Sequence, residues 1–482
     1  MMSVSGSGLK PLARTLVRLA VGPIRSLASR LKRLVRTQTR RVVKLNRKLR
    51  PKRSLASRVK RLVQTQTRRL AKPIRKSGSL PRWRGRLLNG LAAIRRFALG
   101  HVTFIAVTGS CGKTTTVALS QAVLSSAGKC CIGVGPSRWL AAETILSVGA
   151  STKFCLQELH ASFPGLIRES LRLSKPHIGI VTTVGGDHYK NYRSLEATAL
   201  EKGQLVESLP PNGFAILNAD NPHVLTMAER THARLMTFGV SPQTDLRATE
   251  ISSAWPHRLS MKVAHHGEAV RVETRLVGEH WVTCVLAAIA VGIASGIDLR
   301  TCAEAIKRVE PVFGRYSVHR RSGDADYILD THKSPHWTIA QGLAFVRTAQ
   351  APRKTIVIGT ISDFPGATGP RYRRVAREAL SVADRVVFVG PKSGHVTKLR
   401  QGEIGAKLFA FETSYQAAGF LRDTVSAGEL VYVKASFSDH LERVMLSQLE
   451  EVVCWRERCG EWAPCPRCSN YRKSAAPPFA VA

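Results

Sequence analysis

The segment VTGSCGKTTT, Val107 to Thr116, carries the most sharply defined chemistry in the chain. Gly109 and Gly112 let the backbone curl so that several N–H groups face an anion. Lys113 supplies a point charge, and the Thr114 hydroxyl is a magnesium ligand of the usual kind. Ser110 and Thr115 belong to the same nucleotide-binding turn. Val107 stands where the generic GxxxxGK[ST] loop has its first glycine, so the segment follows the shorter TGxxGKT form. A strand before it and a helix after it favour a phosphate loop over a glycine-rich turn with an incidental lysine. A second cluster lies near the end of the chain, where Cys454, Cys459, Cys465 and Cys468 are spaced C-x4-C-x5-C-x2-C. The CPRC pair is a zinc half-site, because two thiolates two residues apart chelate one ion. The competing reading is unpaired or redox-labile thiols.

The elements that must position these residues are strands alternating with helices. HVTFIAVTG, KFCLQEL, HIGIVTTV and GFAILN read as buried strands with helical periodicity between them, as in a parallel sheet covered on both faces. Residues 245–276 alternate polar and apolar and predict appended antiparallel strands. After an apolar helix over 282–296, a second series follows: ADYILDT, KTIVIG, RVVFVG, KLFAF and ELVYVKAS. The expected fold is α/β, with a P-loop parallel-sheet central domain (99–276) and a C-terminal Rossmann-like domain (277–450). A basic helical arm (1–98) precedes them and a cysteine-containing tail (451–482) follows.

A hydrophobic fraction of 44% and a charged fraction of 22% over 482 residues fit a multidomain globular protein, and no apolar run reaches the roughly 18 residues of a membrane span. The net charge of +40 is concentrated, since residues 1–100 hold 29 of the 73 basic residues and none of the 33 acidic ones. Within them RSLASRLKRLVRTQTRRVVK, from Arg25, returns as RSLASRVKRLVQTQTRRLAK, from Arg53. Leucine and valine recur at helical spacing in both copies, which predicts basic amphipathic helices suited to an anionic membrane surface or another polyanion. A helical hairpin packed on itself and an organellar transit peptide are the alternatives. With no apolar signal-peptide core and no disulfide framework, the expected location is the cytoplasm, peripheral at the membrane if the arm binds there.

The TGxxGKT loop resembles that of the Mur ligase family of ATP-dependent amide ligases, and further segments agree in order over roughly residues 102–450. The resemblance implies that Glu158 in QELHASFPG and His188 in VTTVGGDH bind magnesium. It implies that Lys202 in EKGQLVESL is carbamylated and that Asn218 in ILNADNP belongs to the nucleotide motif. Arg315 in FGRYS would serve the γ-phosphate, and Asp330 in ILDTHKSP the nucleotide side of the C-terminal domain. VYVKASFSDHLERV is similar to the closing strand and helix of the branch that adds D-alanyl-D-alanine to the UDP-muramoyl tripeptide. The implied activity is carboxylate–amine ligation through an acyl phosphate, with ATP and Mg2+ required and Lys113, His188, Lys202 and Arg315 as the catalytic set. Three departures stand out: Cys111 replaces a loop asparagine, Trp281 and Cys284 replace both asparagines of an HNxxNALAA helix, and DTHKSP replaces a DxAHNP-like segment. The residues before the loop do not read as the α/β UDP-sugar-binding domain of the peptidoglycan branch. The expected acceptor is therefore a non-peptidoglycan or polymeric carboxylate, and the competing reading is a catalytically altered ligase fold serving as a polyanion-binding scaffold.

Overall fold

The computed structural model describes residues 82–135, 137–320, 324–457, 459–461 and 463–472. Both copies of the basic repeat, and with them the expected arm helices, lie outside the described residues.

The first sheet has nine strands: β1 Thr103–Thr108, β2 Lys129–Gly133, β3 Thr152–Glu158, β4 Ile178–Val181, β5 Phe214–Asn218, β6 Arg234–Gly239, β7 Leu246–Ser252, β8 Ser260–His265 and β9 Glu268–Glu273. Their order is β2-β3-β1-β4-β5-β6-β7-β8-β9. Pairing is parallel from β2 across to β7, and β8 and β9 return antiparallel. The central strands are runs of Ile, Val, Phe and Ala with almost no exposure, as expected where helices cover both faces. Parallel register pairs Val107 with Glu158. The β3 carboxylate therefore arrives at the same sheet edge at which β1 opens into the phosphate loop.

The apolar helix Val282–Ala294 and its neighbour Leu299–Lys307 were expected in the C-terminal domain, but they pack on this first sheet. Val282–Ala294 lies along the loop's own helix, Lys113–Ala127, so closely that a Cβ on Gly292 would sit 2.6 Å from Val123 Cγ1 and 2.3 Å from Cys302 Sγ. The second sheet comprises β10 Ser317–His319, β11 Asp326–Asp330, β12 Lys354–Ile358, β13 Arg385–Val389, β14 Leu408–Phe411 and β15 Leu430–Lys434, in the order β10-β11-β15-β12-β13-β14. All pairs are parallel except β10 with β11.

The end of the expected arm also needs correction. Arg82–Phe97 is a helix of the folded body: Leu88, Ala92 and Leu99 are buried beside Ala142, Ile145 and Leu146 of the helix Leu140–Ser147. Arg95 Nη2 donates to Val148 O at 2.7 Å, and Arg96 lies 3.9 Å over the Phe104 ring. Among the described residues no helix is long and apolar enough to cross a membrane.

Candidate active site

Gly109 and Gly112 hold backbone angles that side-chain-bearing residues avoid, φ 151° and 78°. A Cβ at Gly109 would fall 1.9 Å from Thr182 Oγ1, and one at Gly112 would fall 2.7 Å from Cys284 Sγ. The loop is stitched to the segment after β4. Ser110 Oγ donates to Gly185 O (3.1 Å), Cys111 N donates to Thr183 Oγ1 (3.1 Å), and Thr182 Oγ1 donates to Cys111 O (2.8 Å). The helix beginning at Lys113 then aims its free N–H groups into this cradle.

Lys113 is buried, not a surface lysine. Its Nζ donates to Gly109 O at 2.6 Å. Burial lowers its pKa and the Lys333 and Arg315 cations lower it further, against the opposing pull of Asp187 and Glu158. Thr114 joins the two halves of the molecule: its hydroxyl donates to Glu158 Oε2 (3.0 Å) and accepts from Arg315 Nη2 (2.9 Å). Arg315 precedes β10, whereas Glu158 ends β3, so the second sheet reaches back to the phosphate loop. Thr115 Oγ1 and Arg315 Nε are buried without a hydrogen-bond partner. Such groups are costly unless a ligand satisfies them.

His188 is held in a left-handed conformation (φ 54°) at the start of the short helix Tyr189–Tyr192, with Nε2 3.5 Å from Asp187 Oδ2. Lys333 Nζ lies 3.5 Å from Asp187 Oδ1. Burial alone would raise the Asp187 pKa, but the Lys333, Lys113, His188 and Lys202 charges outweigh it and hold the carboxyl at about 2. Burial lowers the His188 pKa against the opposing pull of Asp187, which favours the neutral imidazole that a metal requires. Lys202 is 1% exposed, and desolvation, reinforced by Lys113, brings its pKa down to about 7. About half of its amine is therefore uncharged near neutrality.

Asp330 accepts from Lys434 Nζ (2.6 Å) and the Tyr432 hydroxyl (3.1 Å), and its charge acts on Arg315. Asn218 stands apart. Its amide donates to Thr182 O (2.8 Å) and its Oδ1 accepts from Asp220 N (3.0 Å), so it ties β5 to the loop after β4. Asp187, Lys333 and Lys434 were not singled out in the sequence, although each lies inside or beside a quoted motif and its charge was the available signal. Where asparagines were replaced, Cys284 Sγ lies 3.5 Å from Gly112 O and buried Trp281 packs edge-on against Tyr316, ring centroids 5.8 Å apart. The four tail cysteines do not form one ligand cluster: among the described residues, the group of three or more whose ligand atoms lie within 4.8 Å of one another is His440, Glu442 and Cys465. Cys459 touches His440 from the other side, with Sγ 3.1 Å from Nε2.

Fold and site together define a phosphate-loop α/β protein, in which a second α/β domain supplies an arginine to the loop of the first. Comparison with known proteins agrees. Residues 107–292 match the Mur ligase middle domain. The UDP-N-acetylmuramoyl-tripeptide–D-alanyl-D-alanine ligase of Mycobacterium tuberculosis is 28% identical over 391 residues, covering 75% of this chain and 76% of that protein. The UDP-N-acetylmuramate–L-alanine ligase of Stenotrophomonas maltophilia is 31% identical over 274 residues, 55% of each chain. In fold, MurF of Thermotoga maritima in complex with ADP superposes with a TM-score of 0.67 at 18% identity, over 77% of this chain and 86% of that one. E. coli FolC follows at 0.57 and 15%, over 75% and 92%. The chain carries a Mur ligase middle domain and resembles the Mur ligases beyond it, and by class it is an ATP-dependent enzyme that forms amide bonds.

Proposed function

We propose that this chain joins a carboxylate to an amine through an acyl phosphate, and that the carboxylate belongs to a non-peptidoglycan, polyanionic acceptor. The observation that carries the first part is the relay Glu158–Thr114–Arg315, in which groups from both sheets meet on one loop hydroxyl. An acceptor carboxylate oxygen attacks the γ-phosphorus of ATP, and ADP leaves. The amine nitrogen then attacks the acyl carbon, phosphate departs with the former carboxylate oxygen, and the ammonium proton passes to solvent. Lys113 and the loop N–H groups neutralise the phosphates, and Arg315 stabilises the charge on the transferring group.

Thr114, Glu158 and His188 would supply oxygen and imidazole ligands to Mg2+, which would neutralise the crowded phosphate and carboxylate oxygens. Lys202 would take up carbon dioxide as a carbamate. Its lowered pKa supports this, because only the free base attacks carbon dioxide, and the resulting anion would face Lys113 and Lys333. Asp330 orients Arg315 through charge, and Asn218 acts as a positioning residue for the nucleotide loop.

The acceptor reading rests on composition. About a quarter of the M. tuberculosis ligase lies outside the match, and the residues preceding β1 here are rich in Arg and Lys without one Asp or Glu. The test offers the full-length chain ATP, Mg2+, bicarbonate and amino acids. UDP-N-acetylmuramoyl tripeptide or polyglutamate is supplied as acceptor, and products are read by mass spectrometry. Mass gain on the polyanion supports the reading, whereas gain on the UDP-muramoyl tripeptide alone overturns the acceptor assignment and leaves the ligase.

A further inference from the structure

A second constellation of ligand groups lies outside the ATP site. The loop after β15 ends at His440, held in a left-handed conformation (φ 49°) and 2% exposed. Two residues on, Glu442 opens the helix Glu442–Leu449 and is 3% exposed. The tail folds back over this corner. Arg443, itself 1% exposed, donates through Nη1 to the carbonyls of Cys454 (3.1 Å) and Arg456 (3.0 Å). This anchoring places Cys465 against the pair. His440 Nδ1 is 3.3 Å from Glu442 Oε1 and 3.7 Å from Cys465 Sγ, and Cys465 N donates to Glu442 Oε1 at 3.0 Å.

These separations decide the chemistry. Zinc bonds of about 2.0–2.1 Å to imidazole nitrogen and carboxylate oxygen, and about 2.3 Å to thiolate, place tetrahedral neighbours roughly 3.4 Å (N to O) and 3.5 Å (N to S) apart. The observed edges match both. The opposite imidazole nitrogen, Nε2, meets Cys459 Sγ at 3.1 Å. A metal-bound histidine needs such a partner on its other nitrogen to fix the tautomer and the ring.

We propose that His440 Nδ1, Glu442 Oε1 and Cys465 Sγ bind one Zn2+ ion that pins the tail to the C-terminal domain, with Cys459 as the positioning residue for His440. The ligand set is not the four cysteines expected from spacing, because the structure recruits a histidine and a glutamate from the end of the second βα series. Cys468, three residues after Cys465 and also buried, lies outside this cluster. Binding displaces the Cys465 thiol proton to solvent. The site is independent of the ligase reading.

The test uses full-length protein stripped with a chelator and titrated with Co2+, whose thiolate charge-transfer band marks sulfur ligation. A magnesium-type site of oxygen and imidazole gives no such band. One equivalent should produce the band, and Zn2+ should displace it. Cys465→Ser should abolish it, Cys459→Ser should weaken affinity about 10- to 100-fold, and Cys302→Ser, at a buried thiol elsewhere, should change nothing. Absence of the band in the wild-type chain, or its persistence in Cys465→Ser, overturns the proposal. If Cys465→Ser does not fold, the wild-type titration decides alone, together with a melting temperature that falls on chelation and recovers with Zn2+.

Discussion

Lys202 is the residue whose chemistry depends most on its surroundings. A lysine with its pKa brought down to about 7 is mostly cationic at pH 6 and mostly neutral at pH 8. Carbamylation, and ligation with it, should therefore rise through that interval in bicarbonate buffer, and a flat profile would count against a carbamate. Lys202→Ala should lose activity and regain part of it with added short carboxylates, measured as ADP formation. For Lys113→Ala the expected fall in turnover is about 10²-fold or more. The melting temperature should hold or rise slightly, because the substitution removes a poorly solvated cation. Loss of folding in this variant would contradict that account. At this scale the sequence was legible where chemistry is contiguous, as in TGSCGKTT. It was not legible where partners meet from afar: Lys333 and Asp187 lie 146 positions apart, and no local spacing announces their contact.

Among elements, the buried parallel strands could be read because both faces are covered, leaving runs such as TFIAVT and IGIV almost wholly apolar. β2, KCCIG, escaped the reading because it is an edge strand with mixed exposure. The helices over 282–307 were attached to the wrong sheet. Periodicity shows that a helix has an apolar face but not which sheet that face covers, and Val282–Ala294 is apolar nearly all round. The link between the sheets runs through Arg315, and Arg315→Ala should lower kcat by on the order of 10²- to 10³-fold. Arg315→Lys should recover little, since one ammonium cannot reproduce the guanidinium fork. Near-normal kcat in either variant would show that the second sheet does not act on the phosphate loop. Gly109→Ala should destabilise the fold by about 1–3 kcal/mol, through its positive φ and the Thr182 clash, read as a lower midpoint in denaturant with ATP protection lost.

For the molecule as a whole, the packing of Arg82–Phe97 moves the boundary of any dispensable arm to residue 81. A chain starting at 82 is expected to melt as the full-length protein does, retain ATP-dependent ligation on a soluble acceptor, and lose sedimentation with anionic liposomes. Equal liposome binding by both chains would place that affinity in the folded body. A start near residue 99 should melt several degrees lower, because it strips Leu88 and Ala92 from the helix Leu140–Ser147. Transfer through an acyl phosphate requires that phosphate leave carrying an oxygen from the acceptor carboxylate. It is tested most directly by running the reaction in 18O-labelled water with unlabelled acceptors and examining the released phosphate by mass spectrometry, with Lys113→Ala as the blank. Ligation through an acyl phosphate predicts ADP with phosphate free of 18O, whereas one 18O atom per phosphate, or AMP with pyrophosphate, would contradict it.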